Sequence, residues 1–322
     1  MWGIQIDEAG GPEVMVWREL PDPEPDAGQI VVETAAAGLN FIDTYQRTGL
    51  YAVPLPWVLG LEGSGTVVAV GDGVTMWSIG DRVAWPGSPG SYATKVALPA
   101  DRVVAVPESV DLETAAALPL QGMTAHYLAT DTYALTEGSR CLVHAGAGGV
   151  GLLLIQIAKL LGAEVFTTVG TPEKAELAGA AGADHTILYR DVDFAEAITG
   201  IAGARPLDVV YDGVGKTVFD QSLSLLRKRG TMATFGNASG PVDPVSPLTL
   251  SSNGSIFLTR PTLFDYIAER DELERRAADL YGWVADGRLD VRIGARFALE
   301  DAADAHRALE GRQTTGKVLL IP

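Results

Sequence analysis

The sequence predicts an α/β chain in which a doubly wound parallel sheet is combined with a second, β-rich domain. Three observations predict it. Across the middle of the chain, short apolar runs alternate with helical segments over short loops, the pattern of a parallel sheet with right-handed crossovers. One of those runs opens directly into a glycine-rich turn followed by a helix. The chain before Leu112 instead carries β-branched runs cut by Gly, Pro and Asp, which is strand-and-turn composition.

In chain order, strand runs at Gln29 to Ala37, Gly63 to Val70 and Tyr92 to Leu98 build the β-rich domain, with Pro21, Pro23 and Pro25 stiffening a surface connection. Glu113 to Leu128 reads as one helix with a kink at Pro119. Strands are then expected at Cys141–His144, Val165–Val169, His185–Leu188, Leu207–Tyr211 and Thr231–Phe235. Helices are expected at Val150–Leu161, Pro172–Ala180, Asp193–Ile201 and Lys216–Leu226. A Ser-, Pro- and Gly-rich loop covers Asn237 to Gly254. A short strand, two helices and a last strand at Lys317–Ile321 follow, too little for a domain of their own, so they are expected to complete the first one. The expected division is 1–121, 122–258 and a return at 259–322.

With 322 residues the chain suits about two domains of roughly 150 residues, and 47% hydrophobic residues suffice for their cores. Its 24 basic and 41 acidic residues give a net charge of −17, which repels a nucleic-acid backbone. Cys141 is the one cysteine, so no intrachain disulfide forms and nothing points to an oxidising compartment. The first residues read as a strand rather than a signal peptide, and no apolar run approaches the roughly 20 residues of a membrane span. A cytoplasmic enzyme is the expectation.

The sharpest signal is CLVHAGAGGVGLLLIQIAKLLG from Cys141. A strand runs into Gly146-x-Gly148-x-x-Gly151 and then a helix, the context a dinucleotide site requires. Gly146 is read as allowing the tight turn, Gly148 the approach of a pyrophosphate, and Gly151 close helix–strand packing. The helix N-terminus offers its unpaired N–H groups to the phosphates. The plain alternative is a glycine turn with no ligand. An NAD site carries a carboxylate at the end of its second strand, for the ribose 2′-OH. Here that strand ends at Val169-Gly170, with Lys174 one helical turn on, which favours NADP and a 2′-phosphate; Glu173, next to Lys174, weighs the other way.

These and further stretches resemble the zinc-free, zeta-crystallin-like quinone oxidoreductase branch of the medium-chain dehydrogenase/reductases. The stretches are AGLNFIDTYQRTGLY (37–51), GMTAHYL (122–128), HAGAGGVG (144–151), VGTPEKAELAGAAGADHTILYRD (169–191), VVYDGVGK (209–216), FGNASG (235–240), TRPTL (259–263) and the ending RQTTGKVLLIP. The resemblance runs in order along essentially the whole chain. It implies a GroES-like catalytic domain split around a Rossmann domain, NADPH as cofactor, and a homodimer formed through the Rossmann sheets. It further implies that Gly149 and Val150 meet the pyrophosphate, and that Lys174, Tyr189 and Arg312 surround the 2′-phosphate. Phe235 and Asn237 would lie along the cofactor. Asn40, Phe41, Tyr45, Tyr127, Val214 and the stretch from Arg260 to Leu263 would lie toward the nicotinamide. Gln121 departs from the resemblance, which leads one to expect Lys there.

Zinc-dependent relatives need Cys and His ligands at tetrahedral spacing. Asn40 stands at the position of their catalytic Cys, Gly60-Leu61-Glu62 in place of their Gly-His-Glu, and a four-Cys lobe is impossible with one Cys. No metal is expected, and without that Lewis acid the expected substrates take hydride readily: quinones, conjugated enones or enoyl thioesters. His126, His144, His185 and His306 suggest no base, and His185 and His306 read as surface or half-buried. Asn40 and Tyr51 are the candidates for polar groups beside the substrate, Tyr51 through a phenol able to donate to a carbonyl oxygen. The function expected is hydride transfer from NADPH to a quinone. An enone or 2-enoyl-thioester reductase, or a non-catalytic NADPH-binding protein of structural or RNA-binding type, are the rivals.

Overall fold

The β-branched runs of the sequence become strands wherever their alternate residues find a core. In chain order these are β1 (Trp2–Ile6), β2 (Val16–Glu19), β3 (Gln29–Leu39), β4 (Trp57–Val58), β5 (Glu62–Val70), β6 (Arg82–Pro86), β7 (Lys95–Pro99), β8 (Val104–Ala105), β9 (Arg140–His144), β10 (Glu164–Val169), β11 (His185–Leu188), β12 (Leu207–Asp212), β13 (Leu226–Thr234), β14 (Phe257–Thr259), β15 (Ile293–Ala298) and β16 (Lys317–Ile321). The computed structural model describes all of residues 1–322. It divides into unit 1, Met1–Met123 with Ile267–Pro322, and unit 2, Thr124–Tyr266.

Unit 1 holds a three-stranded sheet, β2-β1-β4, and a seven-stranded one, β15-β16-β3-β5-β6-β8 with β7 also on β3. β3 is the spine, pairing antiparallel with β5, β7 and β16. The alternation Ile30, Val32 on this strand joins Val67, Val83, Trp85 and Leu98 in one buried cluster, as period-two patterning requires. The register Val318↔Leu39 and Leu319↔Gly38 sets the final strand beside the end of β3. The last strand thus joins the seven-stranded sheet built on β3.

Unit 2 is a single sheet of six parallel strands in the order β11-β10-β9-β12-β13-β14. Counted from β9, that is the 3-2-1-4-5-6 order of the Rossmann fold. Strands buried on both faces need near-continuous apolar runs, and Leu142, Phe166, Ile187, Val210 and Met232 supply them, packed with Phe194, Ile198, Phe219 and Leu223 from the crossover helices.

Two expectations are corrected. The helix read as Glu113 to Leu128 is two, Leu112–Ala117 and Pro119–Tyr127, continued by a π-helical turn over Leu128–Thr132. Pro119 has no N–H to carry the helical ladder across the junction. The loop from Asn237 to Gly254 contains a helix, Pro247–Ser252, capped by Ser246 with Pro at its first position. The two compact units meet at 123/124 and 266/267, where the sequence predicts 121/122 and 258/259. Tyr266 stacks on Tyr127, with ring centroids 4.1 Å apart, and its hydroxyl accepts from Thr132, which holds the segment up to Tyr266 in unit 2.

Candidate active site

In unit 2 the glycine motif lies where β9 turns into the helix Gly149–Leu160. The left-handed residue of this turn is Ala145, at φ 56°, and not Gly146. What Gly146 provides is room: a Cβ there would stand 1.9 Å from Thr167 Oγ1. A Cβ on Gly151 would meet Ala145 O at 2.4 Å and Gly146 Cα at 2.8 Å, so this glycine does allow the helix to sit against the turn. Gly148 is the N-cap, and the amides of Gly149 and Val150 open the helix without intrahelical acceptors. Behind the turn, His144 is buried, with Nδ1 2.8 Å from Thr168 Oγ1 and Nε2 2.9 Å from Ser222 Oγ. Ser222 donates its proton to Val218 O at 2.7 Å, so it accepts from Nε2–H, and Nδ1 accepts from Thr168. Burial holds this imidazole neutral, its pKa down to about 3.

The carboxyl ends of the neighbouring strands carry the other candidates. After β10 come Gly170 and Thr171, whose hydroxyl caps Lys174 N at 3.4 Å. Tyr189 follows β11 and is 39% exposed. After β12, the buried Asp212 accepts from the amides of Val214 and Gly215, at 2.7 and 2.8 Å, and from Thr234. Burial raises its pKa, and those donors oppose the rise. Phe235 packs over Gly213, where a Cβ would lie 3.1 Å from its ring. Arg260 donates to Thr234 O and Gly236 O at 2.9 and 3.0 Å. Val214, Phe235, Asn237 and Arg260 are therefore gathered at one end of β12 to β14, the end at which open α/β sheets bind ligands.

In unit 1, Asn40 is the N-cap residue of the helix Phe41–Arg47, and the Asp43 carboxylate reaches back to accept from its backbone N–H. Phe41, Tyr45 and Tyr51 form a run of rings, with centroids 6.3 and 5.3 Å apart. Asn40 itself is 3% exposed. Its Nδ2 donates to Glu62 Oε2 at 2.8 Å and to Gly38 O at 3.2 Å, and its Oδ1 accepts from Lys317 Nζ at 3.1 Å and Gln121 Nε2 at 3.0 Å. Lys317 is ion-paired with Glu62, both buried, and Glu62 also accepts from Leu120 N at 2.6 Å. Next to this group, Asp43 accepts from Asn40 N and from Tyr92, both at 2.8 Å, and burial pushes its pKa up to about 7. The Asn40 amide is thus filled by groups of its own unit, which it anchors together. The residues do not fit a zinc ion either: an ammonium already neutralises Glu62, Leu61 offers no donor, and Cys141 is buried in β9, where desolvation pushes its thiol to about 12.

Residues 26–108 match the alcohol dehydrogenase GroES-like domain and residues 149–281 the zinc-binding dehydrogenase domain. A quinone oxidoreductase of Pseudomonas aeruginosa is 44% identical over 321 residues, covering 99% of each chain. The structure of Escherichia coli quinone oxidoreductase complexed with NADPH superposes with a TM-score of 0.98 over the whole of both chains at 42% identity. The chain belongs to the quinone oxidoreductase branch of the medium-chain dehydrogenase/reductases. A 2-haloacrylate reductase of Burkholderia sp. is 41% identical over 326 residues, 98% of each chain, so the family at this distance includes more than one reductive activity.

Sequence reasoning missed the buried group of this family member. Glu62 and Lys317 were readable only as a strand acid and a strand base far apart in the chain, and nothing local marks them as partners. His306 is fully buried, not superficial: Arg47 lies 3.0 Å from its Nδ1 and Tyr92 3.3 Å from its Nε2. His126 is buried as well. Tyr127 is packed face to face on Tyr266. Arg312 is exposed in unit 1, in a left-handed conformation after the helix Ala302–Glu310. No helix is long and apolar enough to cross a membrane.

Proposed function

We propose that the chain is an NADPH-dependent quinone reductase acting by direct hydride transfer without a metal. The observation that carries the reading is the full-length likeness to quinone oxidoreductases, one of them complexed with NADPH, together with a glycine turn in which Gly146 and Gly151 leave no room for a Cβ. When bound, the cofactor supplies the hydride. The protein's part is to bind and orient. The amides of Gly149 and Val150 would hold the pyrophosphate, and Lys174, Tyr189 and Arg312 the 2′-phosphate. Val214, Phe235, Asn237, Arg260, Phe41, Tyr45 and Tyr127 would line the rest of the cofactor, and Tyr51 would offer its phenol to the acceptor's carbonyl. The same reading includes a cytoplasmic homodimer joined through the Rossmann sheets. The edge strand β14, with Phe257 64% exposed, supports that pairing.

A second reading, reduction of a conjugated carboxylate, enone or enoyl thioester, is favoured by the likeness to 2-haloacrylate reductase. Following absorbance at 340 nm with 1,4-benzoquinone, 2-chloroacrylate and a 2-enoyl thioester as acceptors, each with NADPH and with NADH, separates the two. Fast oxidation of NADPH by the quinone and little of NADH is expected. Turnover with the haloacrylate or thioester alone would transfer the chain to the second reading.

A further inference from the structure

We infer that Arg190 is a specificity-determining cation for the nucleotide's 2′-phosphate, supplied by the same unit that carries the glycine turn; the inference rests on the NADPH reading. β10 and β11 run parallel with Val169 opposite Leu188. The residues just past them, Gly170 on one side and Tyr189-Arg190 on the other, therefore leave the sheet side by side at its carboxyl edge. A Cβ built on Gly170 would stand 2.9 Å from the Tyr189 hydroxyl and 3.3 Å from Arg190 Nε. The guanidinium thus lies against the position at which an NAD site carries its carboxylate, and an arginine nearby is what a 2′-phosphate calls for.

Arg190 is placed by backbone, since Asp191 N and Val192 N both bond to Leu188 O, at 2.9 and 3.2 Å, closing a turn around it. It is not used elsewhere. Arg140 and Arg227 of this unit are paired with Glu164 and Asp208, and Arg205 and Arg260 are held on backbone carbonyls. Arg190 is exposed and makes no ion pair. The one acid that argued for NAD, Glu173, is engaged with its own amide and the Thr171 hydroxyl. In a chain of net charge −17, a dianionic phosphate is attracted only by such local cations, and a planar guanidinium binds it bidentately where Lys174 offers a point charge.

The test compares adenosine 2′,5′-bisphosphate with 5′-AMP as titrated ligands of the full chain, by calorimetry. Wild type should prefer the bisphosphate, and Arg190→Gln should weaken it about tenfold, in the range of one charge-assisted bond, with 5′-AMP unchanged and Arg190→Lys intermediate. An unchanged preference in Arg190→Gln, alongside a loss in Lys174→Gln, would overturn the inference and leave the NADPH reading standing. Equal weakening of both ligands would also overturn it, as the mark of a merely structural residue. A wild type indifferent to the 2′-phosphate would bring down the NADPH reading itself.

Discussion

Gly146 and Gly151 exclude a methyl group for different reasons, and the difference is measurable. At Gly146 the obstacle is one side-chain atom, Thr167 Oγ1, at 1.9 Å. At Gly151 it is backbone, Ala145 O and Gly146 Cα, which no side-chain change can remove. Gly146→Ala should cost about 1–3 kcal/mol by overpacking and weaken nucleotide binding. Adding Thr167→Ala should recover part of both, less the bond that Thr167 donates to Val143 O. Gly151→Ala should show no such rescue. Urea unfolding and adenosine 2′,5′-bisphosphate titration of the double variants check this, and equal rescue at both positions would contradict it. The glycine spacing was legible in the sequence because it is local and contiguous with a strand and a helix. The division of labour within it was not. Whether Gly146 is needed for its φ or for space depends on Thr167, on the neighbouring strand, and Ala145 took the left-handed conformation expected of a glycine.

At the scale of elements, His144 joins β9 to β10 through Thr168 and to the helix Phe219–Leu225 through Ser222. Its folded pKa, about 3, lies below the roughly 6.5 of an unfolded histidine. Between those values the unfolded chain binds the extra proton, so the contribution is complete above pH 6.5 and is lost as the pH falls toward 3. His306, likewise held at about 3, acts in the same direction in unit 1. Asp43, raised to about 7, acts oppositely, since it destabilises as pH rises from about 3.8. Urea unfolding of unit 2 at pH 6 and pH 5 should therefore show wild type losing about 1 kcal/mol more than His144→Gln across that step. Parallel pH profiles would contradict the assignment. The strands and helices that this imidazole ties were legible from alternation and turn residues, while the ties were not. A histidine ending an apolar strand reads the same whether or not a serine 78 residues later faces it.

For the molecule as a whole, the instructive residue is Lys317, because it shows why the last residues return to the domain of the first. The end of β16 that lies beside β3 brings its ammonium into a site with Glu62 and Asn40, with 2% and 0% exposure at the two ends of the pair. Desolvation draws the lysine pKa down, and the Glu62 charge opposes this. Such a pair adds little net stability over an apolar replacement, but removing one member leaves a buried charge alone. Glu62→Gln and Lys317→Met should each cost about 3–5 kcal/mol, while the double variant should cost clearly less than their sum, a coupling that a thermodynamic cycle isolates. The costs should appear in urea unfolding and leave adenosine 2′,5′-bisphosphate binding by the folded chain intact. Additive losses would mean that the two charges are each solvated in solution; a strong coupling would mean that the closing strand is selected by charge as well as by its apolar face, which is why its partner could not be named from the sequence.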